Sequence, residues 1–215
     1  MALDERLAEQ ALPTVRLFLW DPPAVSLGRT QHAPEWLRDP RWRASGLEAV
    51  ERPTGGGIAF HRSDLSISIV VPRTAGCRVA TIMRAACEGT VQLCATYGIE
   101  AVSLLEAQAI GRIIYCSTQP SPYAVCVGGR KVAGFAIRRY PESWLIQGSL
   151  VARPFPAVLL QAIPRDVADA LHQHAVALSA LAGRSLSEPE AAQRWVQHWP
   201  SWWEAALRED VEVAV

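Results

Sequence analysis

Apolar and polar positions along this chain follow two periods, and the switches between them outline its elements. Leu65, Ile67, Ile69 and Val71 alternate with Ser66 and Ser68, the period of a half-buried strand. From about Arg78 to Tyr97, Val79, Ile82, Met83, Ala86, Thr90, Leu93 and Tyr97 recur instead at helical spacing. That predicts one long central helix, stopped by Gly98. Ahead of them, the first ten residues read as a short helix. Arg16 to Trp20 (RLFLW) and then AVSLG, after the turn at Pro22-Pro23, read as strands. Pro34 to Arg43 is predicted as a short helix leading to Gly46, and Leu47 to Pro72 as strand interrupted by glycines. Gly111 to Val151 is strand-rich, with turn signals at Pro120 to Pro122, Gly128-Gly129 and Tyr140 to Ser143, the signature of an antiparallel meander.

The remainder reads as helix. Pro164 marks a start, with Val167, Leu171, Ala175 and Leu178 as an apolar stripe and Gly183 as the stop. Ser187 and Glu190 form a capping box for a last helix, which carries Trp195, Trp199, Trp202 and Trp203 as a packing stripe. Strands and helices in segregated runs predict an α+β fold rather than a βαβ array. The 215 residues suit a single domain over 1–215, with 152–215 as a helical C-terminal extension.

Composition narrows the class. Half the residues are hydrophobic and 20% are charged, enough apolar content for a substantial core. Lys+Arg and Asp+Glu are equal at 21 each, which argues against nucleic acid as a partner, although basic patches such as Arg138-Arg139 remain. MALDERLAEQ lacks the apolar core of a signal peptide, and no stretch reaches the ~20 apolar residues of a membrane span. Five cysteines without a CxxC pair fit reduced thiols. A cytoplasmic protein without a metal site is therefore expected. Among the 21 basic residues, Lys131 is the single lysine. Arginine serves every other cationic position, so this lysine marks a place for a compact ammonium on a flexible stem.

Three stretches could carry chemistry. In RPTGGGIAFH (Arg52 to His61), three consecutive glycines suit backbone that must approach a ligand closely. The spacing matches neither GxxxxGK[ST] nor GxGxxG. His61 reads equally well as a structural or a catalytic histidine. In VGGRKVAGFAIRR (Val127 to Arg139), a glycine turn precedes a strand carrying Lys131 and Gly134, with Lys131 and Val132 expected on opposite faces. Cys116 ends the apolar run GRIIYC, where a thiol beside a cation or dipole could act as nucleophile. Cys87, Cys94 and Cys126 read as packed, and His172 and His174, two apart on a helix, make a poor metal pair.

Taken in order, SLGRTQ (Ser26 to Gln31), RPTGGGIAFH and GGRKVAG resemble the lipoate–protein ligase and octanoyltransferase family, which is related to biotin–protein ligases. MALDERL is similar to that family's opening helix, and IQGSL (Ile146 to Leu150) to its HG[TS]L segment. The resemblance runs from the start to about Val151. It implies mixed and antiparallel sheets around a tunnel for an acyl chain. It implies that Arg52, Thr54, Gly55, Gly56, Gly57 and His61 line the acyl site, with Gly134, Ala136 and Gln147 at further pocket positions and Lys131 at the reacting carbonyl. Three positions depart from the family pattern: Glu51 stands for a first arginine, Arg62 follows His61 where an aspartate is usual, and Gln147 replaces a histidine.

Cys116 is similar in placement to the nucleophile of the cysteine-dependent branch whose cysteine lies upstream of GRK. The implied reaction moves an octanoyl or lipoyl group from acyl carrier protein, through a Cys116 acyl-enzyme, to a lysine of a lipoyl domain or glycine-cleavage H protein, with no cofactor. Two alternatives stay open. One is an ATP- and Mg2+-dependent lipoate ligase acting through lipoyl-AMP, and the other a non-catalytic lipoyl- or carrier-protein-binding protein.

Overall fold

A computed structural model describes residues 1–73, 77–105, 113–119 and 121–197. The chain opens with helix α1 (Ala2–Glu9) and strand β1 (Thr14–Phe18). Strand β2 (Ala24–Gly28) follows, then a 3-10 turn at Glu35–Arg38 and helix α2 (Pro40–Ala44). The Asp39 side chain caps α2 by accepting from the Arg41 N–H, and Pro40 fills the first helical position. Strands β3 (Glu48–Arg52), β4 (Ala59–His61) and β5 (Asp64–Pro72) come next, then the long helix α3 (Val79–Ala95). Strands β6 (Val102–Ser103), β7 (Ala124–Val127), β8 (Arg130–Arg139) and β9 (Ser143–Val151) complete the sheets. Helices α4 (Ala157–Ala162), α5 (Arg165–His174) and α6 (Leu178–Leu181) follow, and residues 188–197 are helical.

Two sheets result. The larger is antiparallel in the order β1-β5-β9-β8-β7-β6; the smaller is β3-β2-β4, with β2 parallel to β3 and antiparallel to β4. Ile67, Ile69, Phe135 and Ile146 of the large sheet pack against Ile82, Met83 and Ala86 of α3 in one core. Val25, Leu27, Phe60 and Trp42 form a second core with Leu159, Val167 and Leu171 of α4 and α5. Residues beyond Val151 thus feed both cores, since Leu178, Leu186, Ala191 and Trp195 pack into the first. Among the described residues no helix is long and apolar enough to cross a membrane.

The α+β class and the β7-β8-β9 meander match the expectation. Several details differ. Alternation in β5 predicts one wet face, yet Ser66 and Ser68 are as buried as the isoleucines between them, because the small sheet and α1 cover that side. The stripe from Pro164 to Gly183 is broken: Ala175 is extended (φ −105°, ψ 154°), so α5 and α6 are separate. Ahead of Cys116 the described residues form an isolated bridge rather than a strand, with Tyr115 pairing Ile58 in parallel. Ser187 does cap the last helix, accepting from the Glu190 N–H, but the Glu190 carboxylate turns to Arg184 instead of closing the box. Gly111, Arg112, Pro120 and Trp199, Trp202 and Trp203 lie outside the described residues.

Candidate functional site

The large sheet's face toward the small sheet carries small residues on its central strands. Cross-strand rows run Phe18, Ser66, Ser149, Gly134 and Arg16, Ser68, Gln147, Ala136. Because Ser66, Ser149, Gly134 and Ala136 in these rows are short, a cavity of about 200 Å³ opens between this floor and Ser26, Ala59 and His61 of the small sheet. Its lining is mostly apolar, with few polar groups, as expected of a small-molecule site. Cys116, Ser121 and Lys131 stand on its wall.

The glycine loop closes the cavity from the small-sheet side. A Cβ on Gly28 would meet the Gly56 carbonyl oxygen at 2.1 Å, and one on Gly57 would meet that of Ile114 at 2.5 Å. Gly56 has φ +93°, a conformation that disfavours any side chain. The glycines therefore let three strands of backbone pass in contact. The loop is stitched to the cysteine segment by Ile58 N–H donating to Ile114 O (2.7 Å) and Cys116 N–H donating to Ile58 O (2.8 Å).

Arg52 is buried and ties the loop together. Its Nη1 donates to the Ser26 carbonyl (2.9 Å) and Ser26 Oγ (3.2 Å), and its Nη2 to the carbonyls of Gly55 (2.9 Å) and Gly57 (2.6 Å). The same Nη2 lies 3.6 Å from Cys116 Sγ. Thr54 Oγ1, fully buried, donates to Gln147 Oε1 at 2.8 Å, and Gln147 Nε2 donates to Asp4 Oδ2 at 2.8 Å. Asp4 in turn pairs Arg16. Gln147 thus anchors the loop to α1 and the floor.

Lys131 reaches the site because of two local irregularities. The β7–β8 register slips between Val125, opposite Ala133, and Cys126, opposite Lys131, so Val132 is an extra residue in a β-bulge. Lys131 and Val132 are both buried, contrary to the expected alternation, and the lysine side chain lies over Gly134. A Cβ at Gly134 would sit 2.7 Å from its Cε. Nζ donates to Cys116 O and to Ser121 Oγ, each at 2.7 Å. An ammonium has three donors, so one position remains toward the cavity. Burial pushes the lysine's pKa below its ordinary value, against the opposing pull of Cys116, Cys126 and Cys87.

Cys116 is half-buried, whereas burial pushes the thiols of Cys87 and Cys94 up to about 12, fixing them as core residues. His61 is buried at the opposite wall, Nδ1 on Asp64 Oδ2 (2.9 Å) and Nε2 on Ser26 Oγ (2.7 Å), with its ring stacked on Trp20.

Of the residues expected at the site, Cys116, Lys131, Arg52, Gly56, His61, Gly134, Ala136 and Gln147 line the cavity. Thr54, Gly55 and Gly57 stand behind it, holding Gln147 and Arg52. Ser26, Asp64 and Ser121 are additions. Ser26 lies in SLGRTQ and Asp64 three residues after His61, but only tertiary pairing reveals their contacts. Among the described residues no group of three or more His, Cys, Asp or Glu side chains could hold a metal ion.

A family model described as the lipoyl protein ligase A/B catalytic domain matches residues 1–199. Octanoyltransferase LipM of Kyrpidia tusciae is 32% identical over 209 residues, covering 87% of this chain and 76% of the relative. Octanoyltransferase LipM of Carboxydothermus hydrogenoformans is 31% identical over 162 residues, covering 71% of this chain, and the match spans only 60% of that relative's length. Among solved structures, lipoate-protein ligase A bound with ATP superposes with a TM-score of 0.68 at 16% identity, over 97% of this chain and 86% of that one. A bi-partite lipoate protein ligase from Thermoplasma acidophilum, described with its E2 lipoyl domain, gives 0.68 at 17% identity, over 96% and 86%. These two likenesses establish the fold.

Proposed function

The chain belongs to the lipoyl protein ligase A/B catalytic-domain family, and on that premise we propose that it is an acyltransferase. It moves an octanoyl or lipoyl group from an acyl carrier protein thioester to a specific lysine of a lipoyl domain or glycine-cleavage H protein, through an acyl-enzyme on Cys116. The supporting observation is the half-buried Cys116 sulfur on the cavity wall, with the Arg52 guanidinium 3.6 Å away and Lys131 bonded to the cysteine's own carbonyl. The similarity to octanoyltransferases named LipM points the same way.

In the first half-reaction, the Cys116 thiol releases its proton to solvent and the thiolate attacks the thioester carbonyl. The Lys131 ammonium and the Arg52 guanidinium stabilise the tetrahedral oxyanion. The carbon–sulfur bond to the carrier breaks, and the carrier thiolate takes up a proton from solvent. In the second half, the acceptor lysine's neutral amine attacks the Cys116 thioester. The nitrogen gives up a proton to solvent, the carbon–sulfur bond breaks, and the Cys116 thiolate leaves as the amide forms. Both halves balance without ATP or Mg2+, which a ligase reading would require.

The test is acylation of an apo lipoyl domain read by mass spectrometry. Octanoyl-acyl carrier protein without ATP should yield octanoylated acceptor, and the enzyme alone with donor should yield Cys116 acyl-enzyme. Cys116→Ala should remove the acyl-enzyme and at least ~10²-fold of the rate. Full activity of Cys116→Ala overturns the nucleophile assignment. Turnover only with lipoate and Mg-ATP makes the chain a ligase, and no turnover with either donor makes it a binding protein.

A further inference from the structure

Arg52 is a buried guanidinium that no carboxylate pairs among the described residues. Its partners are three backbone carbonyls, the Ser26 hydroxyl and the Cys116 sulfur. A buried cation without a counter-ion is costly, so this charge is held in reserve for an anion. The carboxylate nearest in the hydrogen-bond chain, Asp64, is fully buried but stands two side chains away. Asp64 Oδ2 binds His61 Nδ1 (2.9 Å), His61 Nε2 binds Ser26 Oγ (2.7 Å), and Ser26 Oγ accepts from Arg52 Nη1 (3.2 Å).

The direction of these bonds follows from chemistry. An ionised carboxylate only accepts, and Asp64 Oδ2 also takes the hydroxyls of Ser66 and Ser149, so His61 Nδ1 carries the proton. Arg52 Nη1 can only donate, so Ser26 Oγ accepts from it and the serine hydroxyl faces His61 Nε2. Asp64 stays ionised: burial raises its pKa, but His61, Ser149 and Ser66 outweigh this and hold it below the ordinary value.

We propose that Ser26, His61 and Asp64 are positioning residues which aim the Arg52 guanidinium at the Cys116 sulfur while keeping a carboxylate off it. The inference rests on Cys116 being the nucleophile. In this arrangement His61 does not handle substrate. It orients Ser26, as the aspartate of a triad orients its histidine, and the Arg52 guanidinium, with no carboxylate on it, lies 3.6 Å from the Cys116 sulfur.

The experiment reads the thiol directly: the rate of Cys116 alkylation by iodoacetamide in the full chain, followed on the Cys116 peptide by mass spectrometry, beside the melting temperature. Ser26→Ala should alkylate roughly tenfold more slowly than wild type, and Ser26→Thr, which restores the hydroxyl, should recover most of the rate. Ser26→Asp should be slower than Ser26→Asn, because only the aspartate neutralises Arg52; a merely structural serine would make the two alike. In octanoyl transfer, Ser26→Ala should lower kcat with little change in KM. Should the larger replacements melt below the assay temperature, His61→Gln and Arg52→Gln decide the same question, with both expected to slow alkylation. Wild-type alkylation rates in folded Ser26→Ala and His61→Gln overturn the proposal. Because alkylation needs no acyl donor, that result is separable from failure of the transferase reading, which would appear as wild-type protein that transfers nothing.

Discussion

At the scale of single residues, Lys131 shows how a sequence curiosity becomes a physical claim. The only lysine of the chain sits where its ammonium is stripped of water and partnered by neutral oxygens. Burial depresses its pKa, so the folded state binds its proton less readily than the unfolded chain does. Stability therefore rises with pH through the interval between the lowered value and the ordinary lysine value. Lys131→Met should then be more stable than wild type at neutral pH, and the gap should narrow as pH rises through that interval. Urea melts of both proteins at several pH values check this; an unchanged gap would contradict it. Activity should move the opposite way, with Lys131→Met nearly inactive. Gly134 supplies a second probe. Its added Cβ would meet Lys131 Cε at 2.7 Å, so Gly134→Ala should displace the amine while leaving the sheet paired. An error of about 1 Å at a catalytic group costs up to ~10²-fold, so transfer should fall ten- to a hundredfold with a small change in melting temperature.

At the scale of elements, the break between α5 and α6 holds the lysine strand. Where the apolar stripe predicts continuous helix, Ala175 pairs in parallel with Lys131, and the Val176 N–H donates to the Lys131 carbonyl at 2.9 Å. Arg130, the preceding residue, donates to the carbonyls of Ala175 (2.7 Å) and His172 (3.3 Å) at the C-terminal end of α5. These bonds fix the strand beside the bulge that aims Lys131. Arg130→Ala should cost about 1–2 kcal/mol and raise amide exchange at Val176. Val176→Pro, which removes the donor outright, should lower kcat more than Arg130→Ala does; equal activity of both with wild type would sever the clip from function. This level was the least legible from sequence. The periods of β5, α3 and the meander show plainly in their apolar residues, because local spacing reflects which side chains meet the apolar core. The Ala175 break, the Val132 bulge and the burial of Ser66 and Ser68 depend on what lies across from them, which spacing does not encode. The site was legible in its motifs, RPTGGG and GGRK, but not in its wiring. Ser26 and Asp64 join His61 only because β2 pairs β4 and the chain turns back after His61 into β5.

For the whole molecule, the cavity lies between two cores, and the segment beyond Val151 supplies both. Leu159, Val167 and Leu171 join the core of the small sheet, while Leu186, Ala191 and Trp195 join the core that α3 forms with the large one. Trp195 lies outside the cavity lining, which Ile67, Val132, Ala133 and Phe135 of the same core reach. Trp195 is fully buried, and replacing a buried tryptophan by alanine costs about 3–5 kcal/mol through lost burial and the void left behind. Trp195→Ala should lower the urea midpoint accordingly. Below its melting temperature it should keep the wild-type rate of Cys116 alkylation and of octanoyl transfer, because the floor formed by Ser66, Ser149 and Gly134 stays paired. A stable Trp195→Ala that had lost transfer would show instead that the α3 core shapes the cavity through the sheet.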